Sequence, residues 1–157
     1  MNENDYKQIL AKMCNLCSRS EKCEFEIRQK LIKLDVDIVN SDKIITYLIN
    51  NNFINNERYA QAYVNDKFKF NKWGKLKIKQ KLQFNKIEFK YINTSLSNLN
   101  TDTYKEVLSI ILIKKKKYIN DTSNYTVKQK LINHAISKGY ELDIILEVIS
   151  EYQICQI

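Results

Sequence analysis

The sequence predicts an all-α fold: three tandem three-helix units in an elongated array of the kind that can curve. Three observations predict it. The 157-residue chain has no proline and only two glycines, Gly74 and Gly139, too little turn chemistry for a β-rich protein of this length. Apolar residues recur in pairs at i, i+4 with long polar intervals, the helical period; abundant isoleucine favours strands, but the period decides. Finally, one short word recurs three times, as Ile27-Arg28-Gln29-Lys30-Leu31, Ile78-Lys79-Gln80-Lys81-Leu82 and Val127-Lys128-Gln129-Lys130-Leu131, at spacings of 51 and 49 residues. Such self-similarity marks a repeat architecture.

Each element follows from this pattern. The first unit, 1–52, is expected to hold helices near 5–17, 24–34 and 41–51. The second, 53–99, holds helices near 56–69, 75–85 and 88–98, and the third, 100–157, near 103–117, 124–138 and 141–152. Four residues before the first apolar position of each repeat word stands a small residue, Cys23, Gly74 or Ser123, suited to a helix N-terminus. After each word a second apolar pair, Ile44/Leu48, Ile92/Leu96 or Ile144/Val148, supplies the buried stripe of the third helix. The connections are rich in Asn, Asp, Ser and Thr, which stop one helix and cap the next. Gly139 stands where the eighth helix should end in a left-handed residue. A unit of this size buries little apolar surface alone, so the units are expected to share contacts.

Charge distinguishes the middle unit. The net charge is +8 with only three arginines, a composition that AT-rich coding alone could give, so the total says little. Its distribution says more. Residues 1–60 carry nine basic and nine acidic side chains and residues 100–157 eight and seven, but residues 61–99 carry nine basic against two acidic. Localised charge of this kind points to an anionic partner. No stretch is long and apolar enough to span a membrane, and the polar, acidic start is unlike a signal peptide. The chain is therefore expected to be cytoplasmic, with no membrane partner.

The candidate site is the basic run Lys67, Lys69, Lys72, Lys75, Lys77, Lys79, Lys81 and Lys86, continuing to Lys90, with Phe68, Phe70, Trp73 and Phe84 interleaved. Lysines meet phosphates as point charges, and aromatics can stack on bases. Against this stands a plain solvated face. The lysines are assigned to anionic contact, and the aromatics to the core, which aromatic residues usually fill. Lys114, Lys115, Lys116 and Lys117 form a secondary basic patch, though the dipole of a helix C-terminus by itself accounts for lysines there. Cys14 and Cys17 form a C-x-x-C, with Cys23 and Cys155 elsewhere and His134 the only histidine. Half of a zinc pattern is missing, so no metal is expected, and reduced, partly buried thiols are. No nucleophile elbow, phosphate loop or acidic metal cluster is present, so no catalytic residue and no cofactor is assigned.

Phe53-Ile54-Asn55-Asn56-Glu57-Arg58-Tyr59-Ala60-Gln61-Ala62-Tyr63-Val64 resembles a block of the RecX family, bacterial regulators of the RecA recombinase. Lys67, Trp73-Gly74-Lys75, Ile78 and Leu82 resemble the family's basic stretch immediately downstream of that block. Cys23 to Leu31 resembles an upstream segment, with Cys23 in place of a serine, and Lys138-Gly139-Tyr140 with Ile144 and Val148 resembles a C-terminal one. The likeness covers nearly the whole chain, most weakly at 100–123. It implies three tandem three-helix units and a monomeric, non-enzymatic regulator that lies along the RecA–DNA filament, suppressing ATPase and strand exchange in recombination, DNA repair and the SOS response. The DNA, single- or double-stranded, would be bound without sequence preference. Lys81 departs from the family's frequent acidic residue before the leucine, and lysine replaces most arginines. A helical-repeat nucleic-acid-binding protein without a recombinase partner is the alternative.

Overall fold

The computed structural model describes residues 2–120 and 122–155. Among these the chain forms nine helices and no strand: α1 (Glu3–Arg19), α2 (Glu24–Ile32), α3 (Ile38–Asn50), α4 (Asn56–Asn71), α5 (Lys75–Phe84), α6 (Phe89–Ser97), α7 (Thr101–Lys116), α8 (Asn124–Lys138) and α9 (Leu142–Glu151). Polar side chains start most of them. The side-chain oxygens of Asn2, Asp37, Asn55 and Asn100 each accept from the backbone N–H three residues on, at 2.8–2.9 Å. Cys23 uses the reverse bond instead, its own N–H donating to Glu26 Oε2 at 3.3 Å, one half of a capping box.

The repeat words lie where the period puts them. Ile27, Leu31, Ile78, Leu82 and Leu131 are fully buried, and Val127 nearly so. Ile44, Leu48, Ile92 and Leu96 are buried as well. The third pair is shifted. In α9 the buried residues are Ile145, Val148 and Ile149, and Ile144 is only half-buried. Two neighbouring isoleucines, Ile144 and Ile145, gave the pattern two possible stripes, and packing selected the one advanced by a residue.

A shared backbone device ends α2, α5 and α8. Asp35, Lys86 and Gly139 all have left-handed φ, 52°, 58° and 92°. The N–H of the following residue reaches back across the turn: Val36 to Leu31 O at 3.1 Å, Ile87 to Leu82 O at 3.1 Å and Tyr140 to Ala135 O at 3.2 Å. This is the Schellman arrangement, with an apolar residue just past the cap. Ile87 and Tyr140 are buried there.

Contacts divide the chain into two units, Met1–Ala62 with Leu82–Ile92, and Tyr63–Lys81 with Asn93–Ile157. The first packs Met13, Cys17, Ile27, Leu31, Ile44, Ile45, Leu48 and Ile54 into one core. Within it Asn85 donates from Nδ2 to the buried Tyr59 hydroxyl at 2.8 Å, and Arg58 Nε meets Glu21 Oε1 at 2.5 Å. In the second unit an aromatic column, Phe68, Tyr104 and Tyr140, stacks at centroid spacings of 5.7 and 5.0 Å. No described helix is long and apolar enough to cross a membrane.

Candidate nucleic-acid interface

In the second unit the basic run crosses the end of α4, a tight turn and most of α5. The turn is built from local bonds and from α8. Lys72 takes a left-handed φ of 56°, and Trp73 N–H donates back to Lys67 O at 3.2 Å. Gly74 N–H then donates to Lys138 O at 2.8 Å, and Leu76 N–H to Gly139 O at 2.9 Å. Tyr140 donates its hydroxyl to Lys72 O at 3.1 Å. The buried Tyr104 hydroxyl accepts from Lys75 N–H at 2.9 Å and donates to Glu141 Oε2 at 2.6 Å. Burial and the neighbouring Glu141 carboxylate push this phenol far above its ordinary pKa, so it stays a donor.

The lysine side chains are braced by aromatic faces. Trp73, half-buried, takes Lys67 and Lys77 over its ring at 5.3 and 4.7 Å. Lys75 lies over Tyr104 at 5.0 Å and Lys69 over Phe70 at 5.3 Å. Lys77 Nζ also donates to Ser137 O at 3.4 Å. Such contacts hold an ammonium without neutralising it. Lys79 is half-buried and Lys81 exposed. Lys86, at the left-handed cap in the first unit, lies over Phe25 at 5.7 Å.

The aromatics divide. Phe68 is buried, as expected. Phe70 is not, at 70% exposure: two residues from Phe68, it points to the opposite side of α4. Phe84 is exposed as well, meeting Phe25 edge-on at 5.5 Å.

Lys114 to Lys117 do not act as a block. Lys116 Nζ donates to the Ile154 carbonyl, Lys117 caps α7, and Lys114 and Lys115 line a groove of about 470 Å³. Lys72 and Lys138 line it too, so residues from the two basic segments meet within the second unit. Lys138, isolated in the sequence, is the basic residue that reading by charge runs passes over. His134 shares the groove, its imidazole held below its ordinary pKa by burial, then by Lys115 and Lys138.

The cysteines Cys14, Cys17, Cys23 and Cys155 are free thiols. Burial pushes the Cys17 thiol up to about 11, and Cys14 and Cys23 also rise. Among the described residues no group of three or more His, Cys, Asp or Glu side chains is placed to hold a metal.

Comparison with known proteins matches residues 55–96 to the model of the RecX second three-helix domain. The chain is 29% identical over 161 residues to the regulatory protein RecX of Clostridioides difficile (strain 630), covering 96% of this chain and 75% of that one. It is 33% identical over 138 residues to the RecX of Clostridium beijerinckii, covering 87% of this chain and 64% of that one. It thus spans roughly two-thirds to three-quarters of these relatives' length. Among solved structures, RecX from Lactobacillus salivarius superposes with a TM-score of 0.82 at 24% identity, covering 98% of this chain and 99% of that one. A second RecX crystal structure gives 0.83 at 19% identity, covering 92% and 73%. With sequence relatives, a domain model and the all-helical fold in agreement, the chain belongs to the RecX family of regulatory proteins.

Proposed function

We propose that this chain regulates the RecA recombinase by binding the RecA–DNA filament and suppressing its ATPase and strand-exchange activity in recombination and repair. The reading takes it as a non-enzymatic, monomeric, cytoplasmic protein of three repeat units, 1–52, 53–99 and 100–157, whose central unit meets DNA. One observation carries it: the lysine excess of a family regulator is concentrated in residues 61–99, nine basic side chains against two acidic. Lys67, Lys69, Lys75 and Lys77 there are propped on aromatic faces. An ammonium braced in this way keeps its charge for phosphate, and lysine lacks the bidentate fork that would tie it to one base or one phosphate geometry. That chemistry suits sequence-independent binding of single- and double-stranded DNA. Lys79 and Lys81 extend the surface in the same reading, and Lys86, in the first unit, is assigned to DNA contact by its place in the basic run.

The decisive experiment measures DNA-dependent ATP hydrolysis by the host recombinase with sub-stoichiometric amounts of this protein. The expected result is inhibition. Equal affinity for bare and recombinase-coated DNA, without inhibition, would leave a nucleic-acid-binding protein with no recombinase partner and overturn the proposal.

A further inference from the structure

Helix α7 presents two apolar stripes. One, Tyr104, Leu108 and Leu112, is buried in the second unit. The other, Val107, Ile110 and Ile111, has the i, i+3, i+4 spacing of a second face and forms the floor of the groove of about 470 Å³. Ile110 is 58% exposed. Around this floor stand Lys72, Lys114, Lys115 and Lys138, and no acidic residue lines the groove among the described residues. Tyr118, 74% exposed, also lines it.

An aliphatic floor inside a cationic rim selects its occupant. A nucleic-acid strand would satisfy the lysines, but its apolar groups are limited to isolated thymine methyls and sugar carbons, too small to cover Val107, Ile110 and Ile111 together, and bases stack on aromatic rings. An amphipathic helix carrying aliphatic side chains one turn apart, flanked by carboxylates, satisfies both parts: its apolar stripe fills the floor and its acids meet the rim. We propose that the α7 groove is a docking site for an acidic amphipathic helix of a protein partner. This surface shares only Lys72 with the proposed DNA-facing run, so the two proposals stand or fall separately.

The probe is a fluorescein-labelled helical peptide with leucines at i and i+4 and glutamates beside them, titrated with the full chain at about 0.15 M salt and followed by anisotropy. Saturable binding is expected. Ile110→Ser, at an exposed site, should weaken it about tenfold, as should replacing the peptide's leucines with serine. Lys114→Gln should weaken it and flatten its salt dependence. His134 gives an independent readout, being the only imidazole in the chain. It is faced by Lys115 and Lys138, with Lys72, Lys114, Lys130 and Tyr118 lining its grooves. The peptide's carboxylates should offset these charges and raise its pKa, seen by NMR. Circular dichroism checks that each variant is folded. Four results overturn the proposal: equal binding of the leucine-free peptide, unchanged binding by Ile110→Ser, displacement of the peptide by an oligo-dT strand, or concentration-dependent self-association that Ile110→Ser abolishes. The last two would give the groove to nucleic acid or to a second copy.

Discussion

Gly74 and Gly139, the chain's only two glycines, lie backbone against backbone in the second unit. A β-carbon on Gly74 would stand 2.3 Å from the Gly139 carbonyl carbon and oxygen and 2.4 Å from Tyr140 N. A β-carbon on Gly139 would stand 2.3 Å from Lys77 Cβ, at a φ of 92°. This approach lets Gly74 and Leu76 donate to the end of α8 and fixes where the lysines of α5 begin. Gly74→Ala should destabilise the protein by about 3 kcal/mol. Gly139→Ala should cost about 1 kcal/mol more, because the left-handed backbone is also strained. Urea denaturation of both single variants and the double variant measures this. A double-variant cost well below the sum is expected, since either methyl forces the same separation.

Tyr104 joins Lys75 N–H to the Glu141 carboxylate through one buried hydroxyl. Tyr104→Phe keeps the ring column with Phe68 and Tyr140 but leaves both partners without that oxygen. A loss of about 1–3 kcal/mol is expected, measured by chemical denaturation. A neutral result would remove the hydroxyl from its bridging role.

The stripe of α9 can be tested directly. Ile145→Ala, at a fully buried position, should cost about 2–5 kcal/mol. Ile144→Ala, half-buried, should cost clearly less. Thermal melts of the two variants side by side decide the register, and the reverse order would restore the Ile144/Val148 stripe.

Cys17 links stability to pH. Its thiol is raised from 9.0 to about 11 in the folded chain, by burial first and Cys14 second. Between those values the unfolded chain has released a proton that the folded chain retains, so stability falls as pH rises from about 9 to 11. Cys17→Ala should flatten that part of the profile relative to the parent. Denaturant midpoints collected across the alkaline range under reducing conditions give the comparison.

For DNA, changing Lys75, Lys77, Lys79 and Lys81 together to glutamine should weaken binding and flatten its salt dependence, by about 0.9 of a log–log unit for each phosphate no longer neutralised. Lys75 and Lys77 also lie on Tyr104 and Trp73, so some stability, about 1 kcal/mol per ring contact, should go with them. The matched variant alters Lys114, Lys115, Lys116 and Lys117 and should matter less. Anisotropy across a salt series, with circular dichroism for folding, reads both. Loss of affinity in the second variant alone would move the DNA-facing surface to α7.

Helix count and most helix limits follow from the sequence because their causes are local. An i, i+4 apolar pair needs only its own helix, and a cap such as Asn100, bonded to Thr103 N–H at 2.9 Å, acts over three residues. The repeat words located the buried faces of α2, α5 and α8 for the same reason. Where local patterns were degenerate, as along Ile144 and Ile145, sequence alone did not choose the face; at Phe70 the helical period did, because two residues past the buried Phe68 is the opposite side of the helix.

Spacing and charge along the chain suffice for the helices, the recurring word and the position of the lysine excess. Which distant residues meet was settled by packing. Gly74 has no room for a β-carbon because the Gly139 carbonyl and Tyr140 N close on it, and Gly139 has none because Lys77 does. Lys72 joined Lys114, Lys115 and Lys138 around one apolar floor because the turn before α5 is bonded to the end of α8. Those pairings arise from packing between segments far apart in sequence, and no short-range period encodes them.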